Sequence, residues 1–106
     1  MDIQLKRGLL DVCVLKAVSK GDSYGYRIIK DLSGHVAMSE STLYPILKRL
    51  ESAGCLTEYS MEHNGRLRKY YRITNTGRTR IDDFLTEWEE VMNAYRYIKE
   101  SNDEKE

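Results

Sequence analysis

At 106 residues, 41% hydrophobic and 32% charged, the chain has room for one small domain with a modest core. No apolar run approaches the roughly 18–20 residues that a membrane span needs, and no signal peptide opens the chain, so no membrane association and a cytoplasmic location are expected. The formal net charge of zero hides a segregation: residues 1–80 hold 14 Lys+Arg against 8 Asp+Glu, and residues 81–106 hold 3 against 9. A basic body of that kind suits a polyanionic partner, and an acidic tail stays clear of it.

In chain order, the first element is a helix from about Gln4 to Ser19. Ile3, Leu5, Leu9, Leu10, Val12, Cys13, Val14, Leu15, Ala17 and Val18 make it apolar around much of its circumference, as in a central core helix. Gly21-Asp22 ends it, and Ser23 can cap a second helix, Tyr24 to about Leu32, that buries Ile28, Ile29 and Leu32. Gly25 lies between two tyrosines, where a missing side chain permits close helix approach. Ser33-Gly34 breaks this helix.

A third helix spans Ser39 to Ala53, with Ser39 or Ser41 as N-cap and Gly54 as the left-handed stop. Leu43, Ile46, Leu47 and Leu50 form its apolar stripe. Its other face carries Ser39, Ser41, Thr42, Tyr44, Lys48 and Arg49, hydroxyls early and cations later, which suits contact with phosphates and base edges. Pro45 fits the first turn if the helix starts late, and removes one backbone bond if it starts at Ser39. Three short helices with the third polar and basic outside make a helix-turn-helix unit.

Leu56–Met61 and Arg68–Thr74 then flank His63-Asn64-Gly65-Arg66, a hairpin signal because Asn-Gly tolerates positive φ at both central positions. Arg66, Arg68, Lys69 and Arg72 surround Tyr70 and Tyr71 on the returning strand. Four cations in seven residues, directly after a candidate recognition helix, read as a wing that lies along the minor groove.

Thr74 to Gly77 caps a last helix running to about Lys99. Ile81, Phe84, Trp88, Val91, Tyr95 and Ile98 recur at alternating steps of three and four, the seam of a coiled coil, and Leu85 and Met92 widen it. A domain this small cannot bury that whole stripe, so part of it is expected to face a second copy. The expected organisation is a winged-helix domain over 1–75, a dimerisation helix over 76–100 and a frayed polar tail over 101–106. Cys13 and Cys55 stand in apolar contexts without metal-ligand spacing and read as buried, reduced thiols. His35 and His63 read as surface histidines, and no metal or cofactor is expected.

The strings GDSYGY (Gly21–Tyr26), TLYPILKRLE (Thr42–Glu51), Gly54-Cys55-Leu56 and RKYYRITNTGR (from Lys69's neighbour Arg68 to Arg78), with Trp88 beyond, appear in this order. Together they make the chain resemble the PadR family of winged-helix transcriptional regulators, in its small form with a single C-terminal helix. Ser41 stands where the family commonly has Gly, and the wing tip lacks a Pro that related chains often carry. The resemblance implies a mainly α fold with a small β-hairpin, a winged helix-turn-helix plus a long C-terminal dimerisation helix. It implies a homodimer on palindromic double-stranded operator DNA, repressing nearby genes and often its own. The implied DNA contacts are Ser39, Ser41, Thr42, Tyr44 and Lys48 on the third helix, with Gly65, Arg66, Arg68 and Lys69 in the wing. Tyr70 and Tyr71 pack the wing onto the body instead. The implied dimer interface is Ile81, Phe84, Leu85, Trp88, Val91, Met92, Tyr95 and Ile98. Small members of the family include ones that hold flat aromatic drugs between tryptophans. By that likeness Trp88, with Met92, Leu9 and Cys13 near it, is a candidate site for a planar aromatic effector; the alternative is an interface anchor alone.

Enzymatic function fits poorly: no nucleophile–base pair, glycine-rich phosphate loop or metal-ligand cluster stands at recognisable spacing. The remaining alternative is a winged-helix module that binds a protein or small aromatic molecules without DNA. Such a module has no need for the cations of the wing.

Overall fold

The structure is a computed structural model that describes the backbone of residues 3–103 and the side chains of 8–100. Its elements run α1 (Ile3–Ser19), α2 (Gly25–Leu32), α3 (Glu40–Ser52), β1 (Leu56–His63), β2 (Arg66–Ile73) and α4 (Asn75–Asp103). The expected core side chains Ile3 and Leu5 lie outside the described residues.

Val14, Leu15, Ala17 and Val18 of α1 meet Ile28 and Leu32 of α2 and Leu43, Ile46, Leu47 and Leu50 of α3 in one core. Cys55, Leu56, Tyr71 and Ile73 close it from the hairpin side. The 3.6-residue spacing of the α3 stripe puts all four of its apolar residues inward. Ile29 is only half-buried, because it packs on the edge of this cluster and not within it.

The turn between α1 and α2 departs from expectation. Ser23 does not cap α2; Tyr24 holds the N-cap position in extended backbone without a side-chain cap. Ser23 exchanges two backbone hydrogen bonds with Tyr71, its N–H donating at 3.1 Å and its carbonyl accepting at 2.7 Å. That bridge fixes it one residue too early to cap. The buried Ser23 hydroxyl has no hydrogen-bond partner among the described residues.

The end of α3 follows its sequence closely. Gly54 takes φ +78°, its N–H donates to the Glu51 carbonyl and the Cys55 N–H to the Leu50 carbonyl. This pair of bonds is the Schellman closure, which needs a residue tolerant of the left-handed region. The Thr74 hydroxyl, just before α4, donates to the Gly54 carbonyl at 2.6 Å and accepts from the Gly77 N–H at 3.1 Å. One side chain thus ties the exit of α3 to the start of α4.

β1 and β2 pair antiparallel from Leu56↔Ile73 to His63↔Arg66. Only Asn64 and Gly65 form the turn, so both strands reach closer to the tip than the sequence suggested. Asn64 (φ 53°) and Gly65 (φ 81°) both sit at positive φ, as a two-residue type I′ hairpin demands. Helix α4 continues to Asp103, past the expected end at Lys99, because no Gly or Pro interrupts the intervening residues. Residues 104–106 of the expected tail lie outside the described residues.

The 29 residues of α4 span about 43 Å at 1.5 Å per residue. They stretch the molecule to 69 × 25 × 22 Å and its radius of gyration to 17.1 Å, against roughly 13 Å for a compact chain of this length. No helix among the described residues is long and apolar enough to cross a membrane.

Candidate nucleic-acid interface

At the start of α3 three hydroxyls converge. Ser39 is the N-cap, its Oγ accepting from the Thr42 N–H at 3.3 Å. The Ser39 and Ser41 oxygens lie 2.9 Å apart, and Ser39 Oγ donates to Thr42 Oγ1 at 3.2 Å. Ser39, Ser41, Thr42, Tyr44 and Lys48 are all exposed; Ser41 and Lys48 lie opposite the buried stripe, and Thr42 and Tyr44 flank it. Hydroxyls at a helix N-terminus, beside unpaired backbone N–H groups, suit an anionic oxygen or a base edge. Pro45 lies inside α3; lacking an N–H, it leaves the Ser41 carbonyl without its usual intrahelical donor.

Arg49 departs from the expected outer face. Its guanidinium donates to buried Asp11 of α1, 2.6 Å from Oδ1, because a carboxylate enclosed in an apolar helix draws the nearest cation inward.

The wing cations divide into different duties. Arg72 is held by Asp22, its Nε at 3.1 Å and its second contact at 2.9 Å from Oδ2, and Tyr59 donates to the same oxygen at 2.6 Å. These bonds, Arg72 first, hold the Asp22 carboxyl below its ordinary range; in turn Asp22 raises Tyr59 and Arg72 above theirs. Arg68 lies over the Tyr24 ring, 3.9 Å from its centroid, and reaches the Tyr70 hydroxyl at 3.4 Å. Tyr70 stacks on Tyr59 at 5.7 Å and meets Tyr24 edge-on at 5.4 Å. Tyr71 is buried, and desolvation raises its hydroxyl pKa. The two tyrosines therefore pack the wing on the body. Lys69 is exposed with Glu58 at 3.5 Å, and exposed Arg66 has no ion-pair partner among the described residues.

A cleft of about 310 Å³ joins helix to wing, lined by Tyr24, Gly25 and Tyr26 of the α2 entrance, Tyr44 of α3, and Arg68, Lys69 and Tyr71 of β2. Gly25 makes room for Tyr44: a Cβ there would stand 2.6 Å from the Tyr44 hydroxyl oxygen. Sequence reasoning placed Tyr44 on one element and Arg68 and Lys69 on another, and missed Tyr24 and Tyr26 beside them. It also missed Leu67, 80% exposed at the wing tip between Arg66 and Arg68. The phase of α2 and the exact strand register were the missing information.

Along α4, Ile81, Phe84, Trp88 and Met92 are half-buried, and Leu85, Val91, Tyr95 and Ile98 are exposed. Phe84 and Trp88 stack at 5.6 Å. An apolar groove of about 540 Å³ runs between α1 and α4; Leu9, Cys13, Phe84 and Leu85 line it, and Trp88 and Met92 do not. Cys13 is therefore half-buried at this groove, not in the core, and partial burial raises its thiol pKa; Cys55 is buried. His35 and His63 are both exposed.

A helix-turn-helix followed by a hairpin and a long closing helix defines a winged-helix protein. Residues 14–83 match the transcriptional regulator PadR-like family, and the chain belongs to that family. It is similar to smu.1704 from Streptococcus mutans UA159, 42% identical with a TM-score of 0.77 over 89% of each chain. A PadR family regulator from Eggerthella lenta is 31% identical at a TM-score of 0.82, over 92% of this chain and 88% of that one. Bacillus subtilis PadR, solved in complex with operator DNA, is 26% identical at a TM-score of 0.66, over 73% of this chain and 46% of that one.

Proposed function

We propose that this chain is a dimeric, sequence-specific DNA-binding regulator that represses nearby genes and its own promoter from the cytoplasm. The observation that carries the reading is the cleft in which Tyr44 of α3 and Arg68 and Lys69 of the wing face one another. It brings the Tyr44 hydroxyl of α3 together with two cations of β2. The Bacillus subtilis relative bound to operator DNA supports the same use of the shared fold. In this reading Ser39, Ser41, Thr42, Tyr44 and Lys48 enter the major groove. Gly65 lets the wing tip approach closely, Arg66 and Lys69 meet phosphates at the minor groove, and Arg68 braces Tyr24 while presenting its outer edge.

The second copy packs on Ile81, Phe84, Leu85, Trp88, Val91, Met92, Tyr95 and Ile98, whose exposed members have no cover within one chain. In such a dimer Trp88 is an aromatic anchor. The finer possibility of a planar aromatic effector between two Trp88 indoles rests on the stacked Phe84–Trp88 pair and the adaptable Met92. Leu9 and Cys13, in the neighbouring groove, are the weaker part of that site. Fluorescence of the lone Trp against a panel of aromatic compounds tests it, and an unquenched signal leaves only the anchoring role.

The DNA reading is tested by fluorescence anisotropy of a duplex from the gene's own upstream region beside a shuffled duplex, across a salt series. Tight, sequence-dependent binding with a steep salt slope is expected. No binding to either duplex at low salt overturns it.

A further inference from the structure

Asp11 is the feature that the DNA reading does not use. It is a carboxylate only 2% exposed, in the middle of the apolar helix α1, and two cations from different elements share it. Arg49 of α3 reaches Oδ1 at 2.6 Å and Oδ2 at 3.5 Å. Arg80, in the second turn of α4, reaches Oδ2 at 3.5 Å. A second Arg80 nitrogen, Nη1, lies 3.7 Å from the sulfur of buried Cys55, between the end of α3 and β1. A buried carboxylate is costly to leave unpaired, so the two guanidinium groups cannot move independently of it.

We propose that the Asp11 carboxylate is a joint through which α4 sets the position of α3, with Arg80 as a positioning residue for the recognition surface. The functional half rests on the DNA reading; the mechanical half does not. Arg49 leaves α3 one residue after exposed Lys48, two turns beyond the Ser39–Ser41–Thr42 cluster. A displacement of α4 that draws Arg80 from Oδ2 changes the charge balance at Asp11 and tightens or rotates its hold on Arg49. Thr74, between Gly54 and Gly77, fixes the same two helices at their ends. The joint thus supplies a second, lateral tie between α3 and the start of α4.

The test is Arg80→Gln, which keeps a long polar side chain and leaves Asp11 paired with Arg49, with Asp11→Asn and the Asp11→Asn/Arg80→Gln double variant alongside. Hydrogen exchange, read by mass spectrometry without DNA, is expected to quicken about threefold to tenfold in the α3 amides of Arg80→Gln while the β1–β2 hairpin stays unchanged. Unchanged α3 exchange, or equal quickening everywhere, overturns the joint whether or not the protein binds DNA. Anisotropy on the same variant is expected to show operator affinity down about fivefold with the salt slope and shuffled-duplex affinity kept. A slope reduced by about one, with both duplexes weakened alike, makes Arg80 a phosphate contact and overturns the positioning role. In the Asp11→Asn background, where no buried charge is left unpaired, Arg80→Gln is expected to weaken operator binding no further; additive losses overturn the shared path.

Discussion

Gly25 illustrates how one absent side chain shapes the surface. An added Cβ meets the hydroxyl end of Tyr44, which is 48% exposed and free to swing away. Gly25→Ala is therefore expected to leave the melting temperature within about 2 °C while lowering operator affinity severalfold, read by thermal denaturation beside anisotropy. Gly77 is the opposite case. A Cβ there collides with the Cys55 carbonyl and stands 2.7 Å from the Ile73 side chain, so backbone has to yield. Gly77→Ala is expected to cost about 1–3 kcal/mol, visible as a lowered denaturant midpoint. Among the described residues Lys69 has the exposed Glu58 as its partner, a pairing worth at most about 1 kcal/mol. Lys69→Ala should weaken binding to all sequences and flatten the salt slope by about one unit, whereas Thr42 or Tyr44 substitutions should narrow the gap between operator and random DNA.

At the scale of elements, the wing is held by Asp22 and by the stack of Tyr24, Tyr70 and Tyr59. The Asp22 carboxyl is depressed in the folded state, chiefly by Arg72 and then Tyr59. A depressed carboxylate contributes stability above its unfolded pKa, near 4, and loses it as pH falls through the lower folded value. Asp22→Asn is therefore expected to melt below the wild type at pH 7, with the difference vanishing in acid below the folded value; a pH-independent difference argues against the ion pair. In α4 the first turns belong to the body, with Gly77 on the Cys55 carbonyl and Ile81 against the core. The later turns carry Val91, Tyr95 and Ile98 about half exposed. Ending the chain after residue 90 is expected to leave the winged helix folded and to weaken self-association at least tenfold, read by sedimentation across a dilution series.

At the scale of the molecule, a basic body and a projecting acidic helix separate the two proposed partners, DNA and a second copy. Two copies are expected to present their recognition helices about one duplex turn apart, roughly 34 Å; operators respaced by half a turn should bind markedly more weakly in anisotropy. Local chemistry was enough to determine much of this architecture. The α3 stripe, Gly54 stop, Asn-Gly hairpin, apolar seam and strings of family type are all contiguous signals, governed by helical spacing, positive φ or the need to hide apolar surface. Tertiary structure alone decided the rest, because it depends on which residues from distant segments meet. Asp11 drew Arg49 off the outer face and gathered Arg80, and Asp22 captured Arg72 across the turn. The Ser23–Tyr71 bridge displaced an expected cap. The lone carboxylate in LLDVCVL was the one local hint of such pairing, since a charge in an apolar helix needs a cation; only the packing of α3 and α4 names which.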